Sequence, residues 1–393
     1  MKFLQLTIFL ILFSQYFFSE ERTVLVISLD GVGYNFIQDK NLLSFQQLEA
    51  NGIKGRLEPV FQSTTFPAHA SMATGVFPDR HGIIHNIFFD TKKGKYNYSN
   101  EADWYDLPPI WILAEQQDIK TAVYYWIGSE TSWNGTSASY KMTPFNNKVS
   151  EEKKINKIIE WLSLPDKNRP KLIMSWWHGI DDQGHKFGPE SIEVFNQMNL
   201  QDKYLSSLLT KLGQINAWNY LTLIVVSDHG MTEVKNFINL KDRLTKKGIN
   251  AQIYEGPALA NIFLDERDII QAKEILSNDP LIQVFDKNDI PDELHQLHPT
   301  RSGDLIVTTE APNMFLTGSR VKGFLAKIAG PKGMHGYHPK NQDMTGIFFA
   351  MGKGVRFDDN LLSLRQVDLA PTIANIIGIK IPYFPDGEVI KLH

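Results

Sequence analysis

The sequence contains no cysteine in its 393 residues. This excludes disulfide bonds, thiolate metal sites and cysteine nucleophiles, so any metal site must use oxygen and nitrogen ligands. Charge of one sign is not concentrated either. The net charge is −4, and acidic and basic residues are mixed along the chain, so stable nucleic-acid binding through bulk charge is not expected. No internal repeat or low-complexity segment is evident.

A long apolar run occurs only near the N-terminus. One lysine precedes about fifteen mainly apolar residues, fewer than the roughly twenty that a spanning helix needs. We predict a signal peptide over residues 1–20, with a short uncleaved N-terminal anchor as the alternative. Apart from this leader we expect no membrane span, and a secreted or periplasmic protein.

Apolar runs typical of buried strands alternate with helical patterns in the remaining chain, in which we expect one domain over residues 21–393. The predicted strands are Val24–Leu29, Thr121–Trp126, Lys171–Trp177 and Leu221–Ser227, and the predicted helices include Ser150–Leu162 and Ser191–Leu212. This alternation predicts an α/β fold with a mostly parallel central sheet and helices on both faces.

The pattern changes between about residues 234 and 332. Short strand-like runs (ALANIFL, LIQVFD, DLIVTTE) surround one helical segment, DIIQAKEILS. We therefore predict a smaller α+β cap unit inserted at about 234–332. After it, TGIFFAMG has the pattern of another core strand and DLAPTIANIIG that of a closing helix.

Carboxylates and imidazoles follow several predicted strands. Asp30 follows TVLVISL, and Asp228 with His229 follows LTLIVVS. Asp181 follows KLIMSWW after a short gap, and a histidine lies one helical turn later. Ligands bind beyond the carboxyl ends of the strands in such sheets, so these side chains should meet. With one histidine from the glycine-rich loop GPKGMHGYHP, the candidate metal ligands are Asp30, Asp181, His185, Asp228, His229 and His335.

Each candidate also has a structural alternative. Asp30 could serve only a tight turn, Asp181 could be a solvated loop acid, and His335 could be an isolated histidine. Gly184, between the paired ligands, is expected to leave room for a close metal ion. Their joint occurrence favours a site for two metal ions over separate structural roles.

A hydroxyl candidate lies in the segment STTFPAHASMATG. Thr65 precedes Phe66 and Pro67, and proline in the first turn favours helix initiation. Thr65 would then lie at the positive end of the helix, which stabilises an alkoxide. The alternative is that Thr64 or Thr65 only caps the helix. A hydroxyl beside two metal ions points to hydrolysis of a phosphate ester.

Together these segments resemble the nucleotide pyrophosphatase/phosphodiesterase family of the alkaline phosphatase superfamily. The resemblance runs from about Val24 to Gly378 through LDGVGYNFI, STTFPAHASMATGVFPDRHGIIHN, YYWIGSE, DDQGHKFGP, VSDHGM, MHGYHP and VDLAPTIANIIGI. It implies an alkaline-phosphatase-like fold and two Zn²⁺ ions. One ion would be held by Asp181, His185 and His335, and the other by Asp30, Asp228, His229 and the Thr65 oxygen.

The resemblance also implies a reaction. Thr65 would attack a small-molecule phosphodiester, such as a nucleotide, and form a covalent phosphothreonine, while Asn86 would hold a phosphoryl oxygen. Phe66 is expected to face the substrate. Phe145 and Trp176 are candidates for the same role, with core packing as the alternative. His69, His81, His85, His178 and His338 are expected to be structural or to support the site.

Four alternatives stay open at this point. The chain could be a phosphomonoesterase, a phosphonate hydrolase or a lysophospholipase-C-type phosphodiesterase of the same superfamily. It could also be a non-catalytic secreted binding protein, although none of the six candidate ligands is missing.

Overall fold

A computed structural model describes residues 22–38, 41–316 and 330–392. The predicted leader, residues 1–20, lies outside the described residues. The strands are β1 (Thr23–Leu29), β2 (Gly52–Glu58), β3 (Ile87–Asp90), β4 (Gly94–Asn97), β5 (Thr121–Tyr124), β6 (Tyr140–Met142), β7 (Leu172–Trp177), β8 (Leu221–Val226), β9 (Thr232–Glu233), β10 (Asn236–Ile238), β11 (Gln252–Glu255), β12 (Leu259–Phe263), β13 (Ile282–Asp286), β14 (Leu305–Thr309), β15 (Asn313–Phe315), β16 (Gly333–Met334), β17 (Gly346–Gly352) and β18 (Leu361–Arg365).

The helices of the described residues are α1 (Leu43–Asn51), α2 (Thr65–Thr74), α3 (Pro78–His81), α4 (Ile110–Glu115), α5 (Glu151–Leu162), α6 (Asp181–Phe187), α7 (Ile192–Gln214), α8 (Leu240–Thr245), α9 (Ile269–Ser277) and α10 (Leu369–Ile377). None of them combines the length and the apolar character that crossing a bilayer requires.

An eight-stranded sheet in the order β18-β2-β17-β8-β1-β7-β5-β6 forms the centre of the protein. Neighbouring strands are parallel except at β17, which runs antiparallel to β2 and β8. The predicted α/β fold with a mostly parallel sheet is therefore confirmed. Three neighbouring parallel strands, β8, β1 and β7, form its middle.

Alternate residues of β1 face opposite helical layers. Leu25 and Ile27 belong to a core that also contains buried residues of α1, α5 and α7. Val24 and Val26 belong to a second core with residues of α2, α4 and α10. Both faces of the sheet are thus covered by helices, which explains why every residue of β1 is buried and most of them are apolar.

A smaller antiparallel sheet, in the order β11-β12-β14-β13, lies within the range predicted for the inserted unit. Its strands and the helices α8 and α9 enclose a separate apolar core that includes Ile262, Leu276 and Val307. The boundaries of this unit, about 234 and 332, stay a prediction.

Strand β5, which lies next to the edge strand β6 of the central sheet, is shorter than predicted. It ends at Tyr124 because Tyr125 adopts a φ of 64°, which turns the chain away from the sheet. The predicted strand to Trp126 was therefore too long by two residues. The turn directs the Tyr125 ring toward the cavity described below.

Candidate active site and metal centre

Three neighbouring parallel strands bring the acidic residues to one edge of the sheet. Asp30 follows β1, Asp228 lies two residues after β8, and Asp181 begins α6 beyond the end of β7. Gly31 joins them, with a φ of 72° and its amide donating to Asp228 Oδ1 at 3.0 Å. A Cβ added at Gly31 would lie 3.1 Å from the Asp181 backbone, so glycine permits this close approach.

Each of these carboxylates keeps one buried oxygen without a hydrogen-bond partner. Asp228 Oδ1 accepts two backbone amides at 3.0 Å, but its Oδ2 has no partner. Asp30 Oδ2 accepts Trp176 Nε1–H at 3.1 Å, and its Oδ1 has no partner. Asp181 Oδ1 is unpartnered as well. Burying such oxygens is costly unless a cation compensates them, so they fit a metal site.

The three candidate histidines share one orientation. Their Nδ1 atoms lie beside backbone carbonyl oxygens, at 3.0 Å for His185 and Gly333, 3.0 Å for His229 and Gly230, and 2.9 Å for His335 and Ser63. Nδ1 must therefore carry the proton and donate it, because a carbonyl oxygen only accepts. Nε2 is therefore the ring atom of each histidine that a metal ion would bind, after it has lost any proton that it carries.

The ligand atoms form two overlapping groups within the described residues. In the first, His229 Nε2 lies 3.6 Å from Asp30 Oδ1 and 3.3 Å from Asp228 Oδ2. In the second, Asp181, His229 and His335 have ligand atoms within 4.8 Å of one another. His185 is outside this second group, although its Nε2 is 3.2 Å from Asp181 Oδ2. The six candidates thus lie together, and their division between two ions stays a prediction.

Charge crowding shifts the titration of these groups. Burial, together with the charges of Asp228 and Asp181, raises the pKa of Asp30 well above its usual value. Burial lowers the pKa of His335 well below its usual value. Burial also acts to lower the pKa of His185, but the Asp181 carboxylate outweighs it and raises the pKa to about 9. A bound cation would relieve the crowding of negative charge and displace the His185 proton.

Thr65 is the first residue of α2, and its hydroxyl faces the metal ligands. Its Oγ1 lies 3.3 Å from His229 Nε2. Thr64 precedes the helix as its N-cap but makes no side-chain capping bond, so the capping alternative has no support. His69, one helical turn later, lies with Nδ1 2.7 Å from the Thr65 carbonyl oxygen and with Nε2 2.8 Å from Ser28 Oγ. These contacts agree with the expectation that His69 supports the site.

Asn86 lies beside the same turn. Its Oδ1 accepts the Phe66 amide at 3.0 Å, which leaves the Nδ2 donors for another acceptor. Asn86, Thr65 and the carboxylate of Asp30 line one cavity of about 370 Å³. A phosphate group in this cavity would meet the hydroxyl and the amide together.

Aromatic side chains form the walls of this cavity. Phe66 packs against Tyr98 with ring centroids 5.2 Å apart. On the other side, Phe145 lies 5.4 Å from Trp176 and 5.2 Å from Tyr125. Phe145 is 41% exposed, whereas Phe66 and Trp176 are mostly buried with one surface on the cavity. All three aromatic residues predicted to contact a substrate therefore line the cavity.

Several lining residues were missed by sequence reasoning: Tyr98, Asn100, Tyr125 and Ile127. Tyr125 was placed inside a strand, and Tyr98 follows the β3–β4 hairpin, which no motif marked. A Cβ at Gly184 would lie 2.8 Å from the Met231 side chain, so glycine is needed here for packing, and its expected role beside a metal ion stays a prediction.

Comparison with known proteins adds a family. The model of the type I phosphodiesterase/nucleotide pyrophosphatase family matches residues 24–338. Venom phosphodiesterase 2 of Crotalus adamanteus is 25% identical over 382 residues, covering 92% of this chain and 46% of the venom protein. Human ectonucleotide pyrophosphatase/phosphodiesterase family member 5 is 28% identical over 370 residues, covering 92% of this chain and 75% of the human protein. The chain thus spans less than half of the venom protein.

Solved structures agree in fold. Murine ectonucleotide pyrophosphatase/phosphodiesterase 5 superposes with a TM-score of 0.85 at 25% identity, covering 93% of this chain and 98% of the murine one. A second structure of the murine protein is of an inactive threonine-to-alanine variant in complex with AMP, again with a TM-score of 0.85.

Proposed function

Because this chain belongs to the type I phosphodiesterase/nucleotide pyrophosphatase family, we propose that it is a zinc-dependent hydrolase of phosphodiester or pyrophosphate bonds. The observation that carries the proposal is the convergence of unpaired ligand atoms around one hydroxyl. Three buried carboxylate oxygens and three imidazole Nε2 atoms lie together, and Thr65 Oγ1 is 3.3 Å from one of them. Oxygen and nitrogen donors of this kind suit zinc.

The six ligands divide between two ions in the proposed site. Asp30, Asp228 and His229 would hold the ion beside Thr65. Asp181 and His335, whose Oδ1 and Nε2 are 3.5 Å apart, would hold the other with His185. Bound zinc would lower the pKa of the nucleophilic hydroxyl and neutralise charge on the phosphate and the leaving group.

The protein side chains then act in sequence. Thr65 Oγ1 attacks phosphorus and displaces the leaving group, forming a phosphothreonine that water hydrolyses in a second step. The N-terminal end of α2 favours the negative charge that develops there. Asn86 donates its Nδ2 hydrogens to a phosphoryl oxygen, and its Oδ1 bond to the Phe66 amide fixes the direction of that donation.

The cavity lining favours a diester over a monoester. Among the described residues that line it, none is arginine or lysine. A monoester carries one more negative charge than a diester and would need more compensation. The walls made by Phe66, Phe145 and Trp176 suit a planar or apolar group on the phosphate, such as a nucleoside. The AMP complex of the murine relative is compatible with such a ligand.

The N-terminal segment and the relatives also bear on where the protein acts. We propose that residues 1–20 direct secretion or periplasmic export and that the remaining chain acts outside the cytoplasm. The relatives include venom proteins and proteins named ectonucleotide enzymes. An N-terminal sequence of the protein purified from its source would test this directly, because an unprocessed N-terminus contradicts cleavage.

A substrate comparison tests the activity. Rates on bis-p-nitrophenyl phosphate should exceed rates on p-nitrophenyl phosphate, and a chelator should abolish both until zinc is restored. A preference for the monoester would contradict the proposal and favour a phosphomonoesterase. Activity that persists after complete metal removal would contradict the zinc requirement.

A substitution tests the nucleophile. Thr65→Ala should reduce kcat by at least about 10³-fold, since removal of a catalytic nucleophile is among the most severe changes an enzyme suffers. The bound zinc should stay, because the six protein ligands are unchanged. Thr65→Ser, which keeps a hydroxyl, is the matched control and should retain measurable turnover. Full activity of the alanine variant would contradict the assignment.

A further inference from the structure

A lysine is fully buried behind the site. Lys154 on α5 has 0% exposure, although its neighbours along the helix include ordinary surface residues. Removing an ammonium group from water costs several kcal/mol even after relaxation, by order of magnitude. An apolar side chain would fill this position at less cost, because Ile155 and Ile158 on the same helix already belong to the apolar core. The position of its charge therefore needs an explanation.

The ammonium group of Lys154 contacts one aromatic residue in two ways. Nζ donates to the Trp176 carbonyl at 2.9 Å and lies 4.9 Å from the centroid of the Trp176 ring. A cation over the face of an indole is attracted to it, more strongly where water is excluded. Lys154 thus holds both the backbone and the ring of Trp176.

The opposite edge of the same indole reaches the metal ligands. Trp176 Nε1 donates to Asp30 Oδ2 at 3.1 Å, and Asp30 Oδ1 is the oxygen left unpaired beside His229. The direction of this unpaired oxygen depends on where the indole N–H lies. Changing a group that orients a metal ligand in this way typically weakens metal binding by about 10- to 100-fold.

Glu151, the carboxylate beside Lys154, connects it to the loop on the other part of the cavity wall. Glu151 Oε1 lies 3.6 Å from Lys154 Nζ and accepts the His178 amide at 2.7 Å. His178 Nε2 in turn lies 2.8 Å from the carbonyl of Asn147, in the loop that carries Phe145. Lys154 therefore contacts Trp176 directly, and it is connected to the loop that carries Phe145 through Glu151, His178 and Asn147.

We propose that Lys154 is a positioning residue that, through Trp176, orients Asp30 for the metal ion and fixes the aromatic wall of the substrate cavity. The inference rests on the proposed metal site. It adds that metal affinity and substrate binding are coupled through one indole. Lys154 contacts neither the substrate nor the reacting atoms in this account.

Zinc affinity in the absence of substrate tests the inference. Lys154→Met keeps an unbranched side chain, one atom shorter, and removes the charge. We expect it to weaken binding of one zinc equivalent by about 10- to 100-fold in competition with a chromophoric chelator. Lys157→Met is the matched control, since Lys157 lies on the same helix, is partly exposed and pairs with Glu160 at 2.8 Å. Its zinc affinity should equal that of the wild type.

A double-variant cycle separates positioning from folding. Trp176→Phe keeps an aromatic ring, although a smaller one, and removes the N–H, so it should produce a similar loss of zinc affinity. Adding Lys154→Met to it should then cost less than the lysine change costs alone, because the shared route through the indole is already broken. The lysine change should also raise KM for the diester more than it lowers kcat.

Three results would overturn the inference. The first is a Lys154→Met protein that is less heat-stable but binds zinc like the Lys157→Met control. The second is full additivity of the two affinity losses in the double variant, and the third is an unchanged zinc affinity of Trp176→Phe. The last measurement decides the matter if Lys154→Met does not fold. A wild-type protein that binds zinc but hydrolyses no diester would contradict the proposed activity and leave this test intact.

Discussion

Replacing one metal ligand should make the metal-free protein more stable. In Asp228→Asn, Oδ1 keeps its two backbone amide bonds of 3.0 Å, and the amide nitrogen takes the place of the unpaired Oδ2. That nitrogen can donate to His229 Nε2, which is 3.3 Å from Oδ2 in the wild type. The substitution also removes a charge that raises the pKa of Asp30.

The size of the effect follows from the buried oxygen. An unsatisfied buried group costs about 1–3 kcal/mol. A chain of 393 residues has an unfolding entropy near 0.8 kcal/mol/K at about 2.1 cal/mol/K per residue. The metal-free variant should therefore melt roughly 1–4 °C above the metal-free wild type. Zinc at about 1,000 times its dissociation constant contributes about 4.1 kcal/mol per site, so it should raise the wild-type Tm by roughly 5 °C per ion.

Calorimetry of both proteins, with chelator and with zinc, measures these shifts. The wild type should gain from both ions, and Asp228→Asn should lose most of the increment of the ion beside Thr65. The reasoning is refuted if the metal-free variant is less stable than the metal-free wild type, or if zinc stabilises both proteins equally. The first result would mean that the unpaired Asp228 oxygen does not destabilise the metal-free protein, and the second that it is not a metal ligand.

Further predictions concern other groups. Asn86→Ala should lower kcat by about 10²–10³-fold with zinc retained, since it removes one donor to the phosphate; an unchanged kcat would contradict that role. Burial and Arg301 lower the pKa of His81 to about 3, so below about pH 6.5 the unfolded chain takes a proton that the folded protein refuses. The unfolding free energy should thus decrease as the pH is lowered from 6.5 to 3, by up to about 1.4 kcal/mol per pH unit. In His81→Gln, unfolding free energies from urea titrations should depend less steeply on pH. Arg301→Met should lower the unfolding free energy by about 3–5 kcal/mol, because the buried Asp90, 2.8 Å from Arg301 Nε, loses its cation. Arg267→Met, at an exposed arginine, is the control and should change the unfolding free energy hardly at all.

The candidate metal ligands were the most predictable part of the site. Asp30 and Asp228 follow mainly apolar runs rich in β-branched residues, which are typical of buried parallel strands whose ends meet at one edge. Asp181 and His185 are four residues apart, and the predicted helical turn is present as α6. Here local pattern and tertiary structure lead to the same arrangement.

The cavity walls were less predictable because they depend on loops. Tyr125 continues an apolar run, so its φ of 64° is not visible in the sequence. Tyr98, with a φ of 47°, lies in a polar segment with the composition of an ordinary surface hairpin. Lys154 stands beside Lys153 in an amphipathic helix, and only the packing of α5 shows which of the two is buried.

The central claim is that two metal ions lie around the Thr65 hydroxyl. Anomalous diffraction from crystals of the zinc-loaded protein, recorded on both sides of the zinc absorption edge, tests it most directly. The account predicts two peaks, one in contact with Asp30, Asp228 and His229 and the other with Asp181, His185 and His335. A single peak, or peaks away from these side chains, would contradict it.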